Sequence, residues 1–212
     1  MSGGLLERDA GLDLERALER HCAALSACRA CGDRVAGAIP ILSTARRPRA
    51  MLVGQAPGQV EITGQRPFAG RAGKTLFRWL AQAGLSEEEA REQIYIAAIT
   101  RCYPGASESG RGDRVPSAAE QELCSHWLDA ELALIRPAVV IPVGRLAIDR
   151  FLPRAPLDLL IGREHVCELN GRETTVIPLP HPSGASSWVH GAGHKALLDE
   201  ALALLRRRLR PE

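Results

Sequence analysis

The sequence predicts an α/β fold in which a central parallel sheet is covered by helices on both faces. Four short apolar runs are typical of buried strands, and segments with helical spacing lie between them. The runs are AMLVG at 50–54, IYIAAI at 94–99, AVVIPV at 138–143 and TVIPLP at 175–180. In such a sheet the carboxyl ends of the strands carry the ligand site, so the segments that follow these runs are the first place to look for function.

Helices are predicted at both ends of the chain and between the strands. Residues 1–27 are expected to form an N-terminal helix, because the leucines after residue 5 recur with helical spacing. Internal helices are predicted for KTLFRWLAQAGL, after a glycine-rich turn, and for PSAAEQELCSHWLDAELALI, after a Pro-Ser start. The C-terminal helical segment is expected at 188–212, and the whole chain, 1–212, is expected to form a single domain.

Composition limits the possible classes of protein. The chain has 212 residues, 45% of them hydrophobic, so it can bury a substantial core, and its net charge of +2 confines any nucleic-acid surface to a local patch. No apolar run is long enough to span a membrane, and the N-terminus is acidic where a signal peptide would be basic. We therefore expect a soluble, cytoplasmic protein without a membrane partner, and by default a monomer.

The hexapeptide GRAGKT at 70–75 ends like a nucleotide-binding P-loop. A P-loop needs a glycine five residues before its Gly-Lys pair, so that consecutive N–H groups can face phosphate oxygens, and Phe68 occupies that position. Phe68 also lies fourteen positions after Gly54, the expected strand end, whereas a P-loop turns directly from strand to helix. We therefore expect no nucleoside triphosphate site.

Four cysteines have a distribution that suggests a metal site. Cys28 and Cys31 form a C-x2-C pair, and Cys102 and Cys124 lie on either side of a polar loop. Six cysteines are too few for a disulfide scaffold in a chain of this length. Spacing alone leaves three interpretations open, namely zinc, an iron–sulfur cluster and ordinary buried thiols. Any metal would be structural and would fasten the N-terminal helix to the sheet.

Three side chains near the strand ends are candidates for chemistry. Glu61 is the single acid between residues 34 and 86 and could orient a water molecule, although a loop glutamate is often merely exposed. His181 directly follows the last apolar run, where a histidine is either functional or structural. Phe68, between Pro67 and Ala69, is placed either to stack on a ligand or to fill the core.

The order of these motifs resembles the family 4 type of uracil-DNA glycosylase and its bacterial relatives. The motifs are C-x2-C, GQAPGQVEITGQRPFAGRAG, YIAAITRCYPG, a further cysteine and LPHPSG, and they cover about residues 22–200. The resemblance implies a three-layer α/β/α sandwich with a central four-stranded parallel sheet. It also implies a base-excision repair enzyme that hydrolyses the N-glycosidic bond of uracil in DNA.

The same resemblance implies roles for the residues singled out above. Glu61 matches a carboxylate that assists water attack, Phe68 the aromatic that stacks on the flipped base, and His181 the histidine of the last motif, a donor to the uracil O2. A [4Fe–4S] cluster, with zinc as the alternative, would be held by Cys28, Cys31, Cys102 and Cys124.

DNA contacts are expected around the pocket. Lys74, Arg111 and Arg114 are candidates for phosphate contacts, whereas the C-terminal RRRLR can equally be the solvated end of a helix. The resemblance further implies a loop that presses into the minor groove, at Pro182, Ser183 and Gly184.

The base-binding residues Gln55, Ala56 and Ala98 include departures from the family pattern. Gln55 replaces a glutamate, Ile62 replaces the second acid of an acidic pair, and Ala98 replaces the asparagine that contacts the uracil edge. We expect Gln55 to be able to take over that contact, because an amide both donates and accepts hydrogen bonds. The departures leave other functions open: a uracil- or abasic-DNA binding protein with little turnover, a glycosylase for another deaminated base, or a metal-holding interaction domain.

Overall fold

The computed structural model describes residues 3–32, 35, 38–109, 112–183 and 188–209. Its strands are β1 Ala50–Gly54, β2 Ile94–Ala98, β3 Val139–Pro142, β4 His165–Leu169 and β5 Arg172–Val176. Its helices are α1 Gly3–Ser26, α2 Gln59–Gly64, α3 Arg71–Gln82, α4 Glu87–Gln93, α5 Ala118–Ile135, α6 Arg145–Phe151, α7 Leu157–Leu160 and α8 His194–Leu209.

The strands form one sheet in the order β2-β1-β3-β5-β4. The pairs β1–β2, β1–β3 and β3–β5 are parallel, as the sequence predicts, but β4 pairs with β5 antiparallel at the edge. The prediction of four parallel strands is therefore corrected to five strands, four of them parallel. The added hairpin turns at Asn170 and Gly171, which both have positive φ, and Asn-Gly is the preferred pair for such a turn.

Helices cover both faces of the sheet. Along β1 the side chains alternate, with Ala50 and Leu52 in one core cluster and Met51 and Val53 in the other. The first cluster includes residues of α3, α4 and α8, and the second includes residues of α1, α5 and α6. The strands β1, β2 and β3 are buried along their whole length, which explains why they are continuous apolar runs in the sequence.

Helix boundaries follow local capping chemistry. Helix α5 begins after Ser117, whose hydroxyl accepts a hydrogen bond from the N–H of Glu120 at 3.3 Å, as is typical of an N-cap. The C-terminal helix begins at His194, later than the predicted 188, because a 3-10 turn at Trp188–His190 and Gly193 with φ 77° come first. No described helix has the length and apolar character needed to cross a membrane.

Candidate functional site

A cavity of about 310 Å³ opens at the carboxyl edge of the sheet. Its lining includes Gly54 at the end of β1, Ala98 at the end of β2 and His181, which follows the segment extending β5. Phe68 and Glu61, from the long segment after β1, complete one side. The structure therefore brings together the residues that the sequence singled out on separate strands, as expected for a parallel sheet.

The ring of Phe68 lies against the backbone of β1. A methyl group on Gly54 would approach the ring Cζ to 3.1 Å, so the glycine lets the ring sit directly on the strand end. Phe68 has φ 53°, which is unusual for a bulky residue. Its conformation is held from outside, because the guanidinium of Arg91 donates to the carbonyl of Pro67 at 2.9 Å and to that of Phe68 at 3.4 Å.

The buried carboxylate of Glu61 binds the main chain on both sides of this segment. Oε2 accepts from the N–H of Gly58 at 2.8 Å, and Oε1 accepts from the N–H of Gly70 at 3.0 Å. Gly58 and Gly70 are the N-cap residues of α2 and α3. An anion is stabilised at helix N-termini, and here that anion is a side chain of the protein itself. The GRAGKT segment is therefore the start of α3, with its N-cap N–H bound to a carboxylate of the protein.

His181 is oriented by the residue two positions later. Its Nδ1 lies 3.3 Å from the main-chain N–H of Ser183, which donates to it, and 2.9 Å from the Ser183 hydroxyl. Because Nδ1 accepts a main-chain N–H, we assign the proton of the neutral ring to Nε2. Burial lowers the pKa of His181, and the nearby charge of Asp113 opposes that fall. The ring is therefore a neutral donor at the cavity wall.

Two of the three residues predicted to bind the base lie in the cavity wall. Ala56 and Ala98 line the cavity, but Gln55 does not belong to the lining. The main-chain carbonyl of Gln55 instead accepts from the N–H of Thr100 at 3.2 Å, which extends the β1–β2 pairing. A contact between the Gln55 side chain and the uracil edge, in place of the family's asparagine, remains a prediction.

Sequence reasoning missed Asp113, a carboxylate in the lining of the cavity. It belongs to the polar loop between two of the cysteines, which carries no periodicity from which a side-chain direction could be predicted. The neighbouring Arg114 donates to both oxygens of Glu120, at 2.7 and 2.5 Å, and this pairing lowers the pKa of Glu120 to about 2. The guanidinium of Arg114 thus anchors the loop to α5, and a phosphate contact by Arg114 remains a prediction.

The four cysteines predicted to bind a metal lie close together. The pKa of Cys102 is raised to about 12, first by burial and then by its neighbours Cys31, Cys124 and Cys28. Nevertheless, no three or more Cys, His, Asp or Glu side chains of the described residues are arranged as a site for a single metal ion. Cys102 and Cys31 also line a small cavity with Arg101 and Thr100. Arg101 Nε and Thr100 Oγ1 are buried there without a hydrogen-bond partner among the described residues.

Residues 42–206 match the Uracil DNA glycosylase superfamily. This stretch contains all five strands of the sheet and the Phe68, Glu61 and His181 side chains of the cavity. The chain belongs to this superfamily.

Its relatives within the superfamily include several type-4 uracil-DNA glycosylases. The protein of that name from Thermotoga maritima is 33% identical over 136 residues, which cover 64% of this chain and 65% of the relative. The one from Archaeoglobus fulgidus is 33% identical over 138 residues, covering 63% of this chain and 64% of the relative. The chain thus spans slightly less than two thirds of the length of these relatives.

The other residues predicted to contact DNA stay predictions, and the structure shows only where some of them lie. Lys74 is exposed on the first turns of α3, next to the cavity residues Arg71 and Ala72. Pro182 is buried and Ser183 orients His181. Arg111 and Gly184 lie outside the described residues, so their predicted contacts stay predictions.

Proposed function

We propose that this superfamily member is a monofunctional glycosylase that hydrolyses the N-glycosidic bond of uracil in DNA. The observation that carries the proposal is the convergence, in one cavity, of an aromatic ring, a neutral histidine donor and carboxylates. A flipped base needs a flat apolar face, and the departing base needs a hydrogen-bond donor where negative charge develops. The relatives named type-4 uracil-DNA glycosylase support the same substrate.

The test is incubation of the purified protein with oligonucleotides that carry one uracil, followed by alkaline cleavage at abasic sites. We expect strand scission that depends on the uracil, and no scission of the same oligonucleotide with thymine. Binding of the uracil strand without scission would contradict the proposal and would favour a DNA-binding protein with little turnover.

Phe68 is the proposed stacking face for the base. Its ring lies on Gly54 at the cavity wall, and Arg91 donates to the carbonyls of the two peptides that flank the Phe68 Cα. A ring that is held in advance loses little conformational entropy when the base binds. The base can therefore stack without rearrangement of the loop.

Substitution of Gly73 by alanine should disrupt this arrangement. A methyl group on Gly73 would overlap the carbonyl oxygen of Phe68, so the Phe68 backbone would have to leave its position. We expect the free energy of unfolding to fall by about 1–3 kcal/mol and uracil release to slow about 100-fold. Thermal unfolding and single-turnover kinetics measure the two effects. Gly11→Ala on α1, where the added methyl meets open space, is the control and should leave release unchanged.

Glu61 is proposed to keep a negative charge beside the sugar while it holds the loop. The sugar becomes positively charged as the bond to the base lengthens, and a fixed carboxylate stabilises that charge. A glutamine at this position could accept only one of the two N–H bonds from Gly58 and Gly70, since its amide nitrogen would face the other N–H group. Glu61→Gln should therefore alter loop geometry as well as charge.

A [4Fe–4S] cluster is the proposed cofactor, with Cys28, Cys31, Cys102 and Cys124 as its ligands. The four thiols lie close together, as the ligands of one cluster must, and a cluster binds each cysteine through a different iron. The unpartnered Arg101 Nε and Thr100 Oγ1 donors nearby suit an acceptor-rich group. When bound, the cluster would hold the segment after α1 against the loop after β2.

Removal of one ligand should remove the cluster. We expect Cys102→Ser to lose the broad absorbance near 400 nm typical of such clusters and to unfold at a lower temperature, because metal binding stabilises the fold that forms the site. Cys167→Ser, on the edge strand β4, is the matched control. A Cys102→Ser protein that keeps full absorbance and iron content would contradict the assignment.

A second substrate is favoured by one observation, the absence of an amide at Ala98. A site that cannot form paired hydrogen bonds with the uracil edge loses discrimination among bases. We therefore propose that other deaminated bases be tested in the same scission assay. Faster release of hypoxanthine than of uracil would indicate that hypoxanthine is the preferred substrate.

A further inference from the structure

Glu61 uses one acceptor position of each carboxylate oxygen to hold the main chain, so a proton taken from an attacking water would weaken that hold. Each of its oxygens already accepts a main-chain N–H, from Gly58 and from Gly70, and the side chain is buried. Its geometry is that of a residue that holds a loop. A second carboxylate, Asp113, lines the same cavity from the opposite loop and is exposed at the rim.

Asp113 approaches the main chain at the same glycine that Glu61 binds. A methyl group on Gly58 would lie 2.9 Å from Oδ2 of Asp113 and 2.7 Å from Oε2 of Glu61. Gly58 therefore allows the two carboxylates to converge over one point of the backbone. His181 lies near enough that the charge of Asp113 affects its pKa.

Main-chain hydrogen bonds fix the conformation of the loop that carries Asp113. Asp113 pairs with Ala106 as an antiparallel bridge, the N–H of Ser107 donates to Gly112 at 2.9 Å, and the N–H of Arg114 donates to Gly105 at 3.0 Å. The Arg114 guanidinium then binds both oxygens of Glu120 at the start of α5. Main-chain pairing on one side and an ion pair on the other thus set the position of the Asp113 carboxyl.

The surroundings of Asp113 increase its affinity for a proton. Partial loss of hydration has the largest effect and raises the pKa of Asp113, and the charge of Glu61 raises it further. The hydrogen bond from the Tyr103 hydroxyl and the charge of His181 lower the pKa. The net effect is a raised pKa. A carboxylate with a raised pKa is a better general base than an ordinary aspartate.

We propose that Asp113 is the catalytic base that positions and deprotonates the attacking water, the role that the family resemblance assigns to Glu61. The inference rests on the proposed glycosylase function. The C1′–N1 bond breaks with its electron pair going to the uracil, the water oxygen forms the new bond to C1′, and the released proton goes to the Asp113 carboxylate. That proton then passes to solvent, so the step needs no other reactant.

The test compares Asp113→Asn with Glu108→Gln, which removes the same charge from the same loop at an exposed position. In single-turnover reactions on uracil-containing DNA we expect Asp113→Asn to slow release about 100-fold. Glu108→Gln should keep the wild-type rate, and binding to uracil-containing DNA should be unchanged in both. Added formate should restore part of the rate of Asp113→Ala, because it supplies a carboxylate to the space that the substitution opens.

The outcomes separate this inference from the proposed function. Uracil release by the wild type with an unchanged rate in Asp113→Asn would overturn the role of Asp113 and leave the glycosylase function standing. The Asp113→Ala variant could instead be slow, gain no rate from formate and fail to bind DNA. That result would overturn the role of Asp113 as a base and indicate a structural role. No release by the wild type would overturn both.

Discussion

Replacing Glu131 by alanine is expected to lower the free energy of unfolding by about 3–5 kcal/mol. Glu131 is fully buried on α5 and accepts hydrogen bonds from three groups: His21 Nε2 at 3.1 Å, the Tyr95 hydroxyl at 2.8 Å, and the Arg101 guanidinium. Arg101 is itself 2% exposed. Without Glu131 the guanidinium would remain as a buried charge that has lost its ion-pair partner, which is the costly state of a broken buried pair.

This network joins four parts of the fold. Its members come from α1, β2, the segment after β2 and α5, so its loss should loosen the contact between α1 and the sheet. Urea unfolding followed by tryptophan fluorescence measures the change, because Trp127 lies edge-on to His21 at a centroid distance of 5.4 Å. Glu122→Ala, at an exposed position of the same helix, is the control. A loss below 1 kcal/mol in Glu131→Ala would mean that water or another group compensates Arg101.

Substitution of His181 by alanine is expected to slow uracil release by about 100- to 1000-fold, the cost of one donor to a developing negative charge. The neutral ring keeps its Nε2 proton because the Ser183 N–H occupies Nδ1. The loss should fall on the chemical step, since the donor matters most when negative charge has formed on the leaving uracil. Single-turnover rates at saturating enzyme, compared with DNA affinity, measure this separation.

Two further observations should accompany that result. His190→Ala, at an exposed position of the 3-10 turn, should keep the wild-type rate. Burial lowers the pKa of His181 below its ordinary value of 6.5, so the neutral form persists to lower pH and the wild-type rate should decline only below pH 6.5. A decline that begins above pH 7, or a His181→Ala rate within threefold of wild type, would contradict the assigned role.

The regular elements could be predicted because their signals are local. The strands β1, β2 and β3 are buried on both faces and appear as continuous apolar runs, and α5 begins after a Ser-Glu capping box. The fourth parallel strand, β5, begins with exposed polar residues at Arg172, so the run predicted at 175–180 overlaps it only at Thr175 and Val176. The hairpin of β4 and β5 was missed although Asn170 and Gly171 carry its turn signal, because β4 is an edge strand whose residues, at most half-buried, form no apolar run. The motifs that carry the family resemblance likewise lie at strand ends, where a parallel sheet brings them together.

Residues and motifs alone were enough for the fold class and the family, and they selected Phe68, His181 and the four cysteines as candidates that remain predictions. Only the folded structure showed the surroundings of Glu61 and Asp113, because the N–H groups and charges around a carboxylate come from distant parts of the chain. Glu61 meets two main-chain N–H groups and holds a loop, whereas Asp113, in a segment without periodicity, reaches the cavity through long-range pairing. Sequence spacing determines which side chains share a strand end, but the path of a loop in space depends on contacts such as that between Arg114 and Glu120.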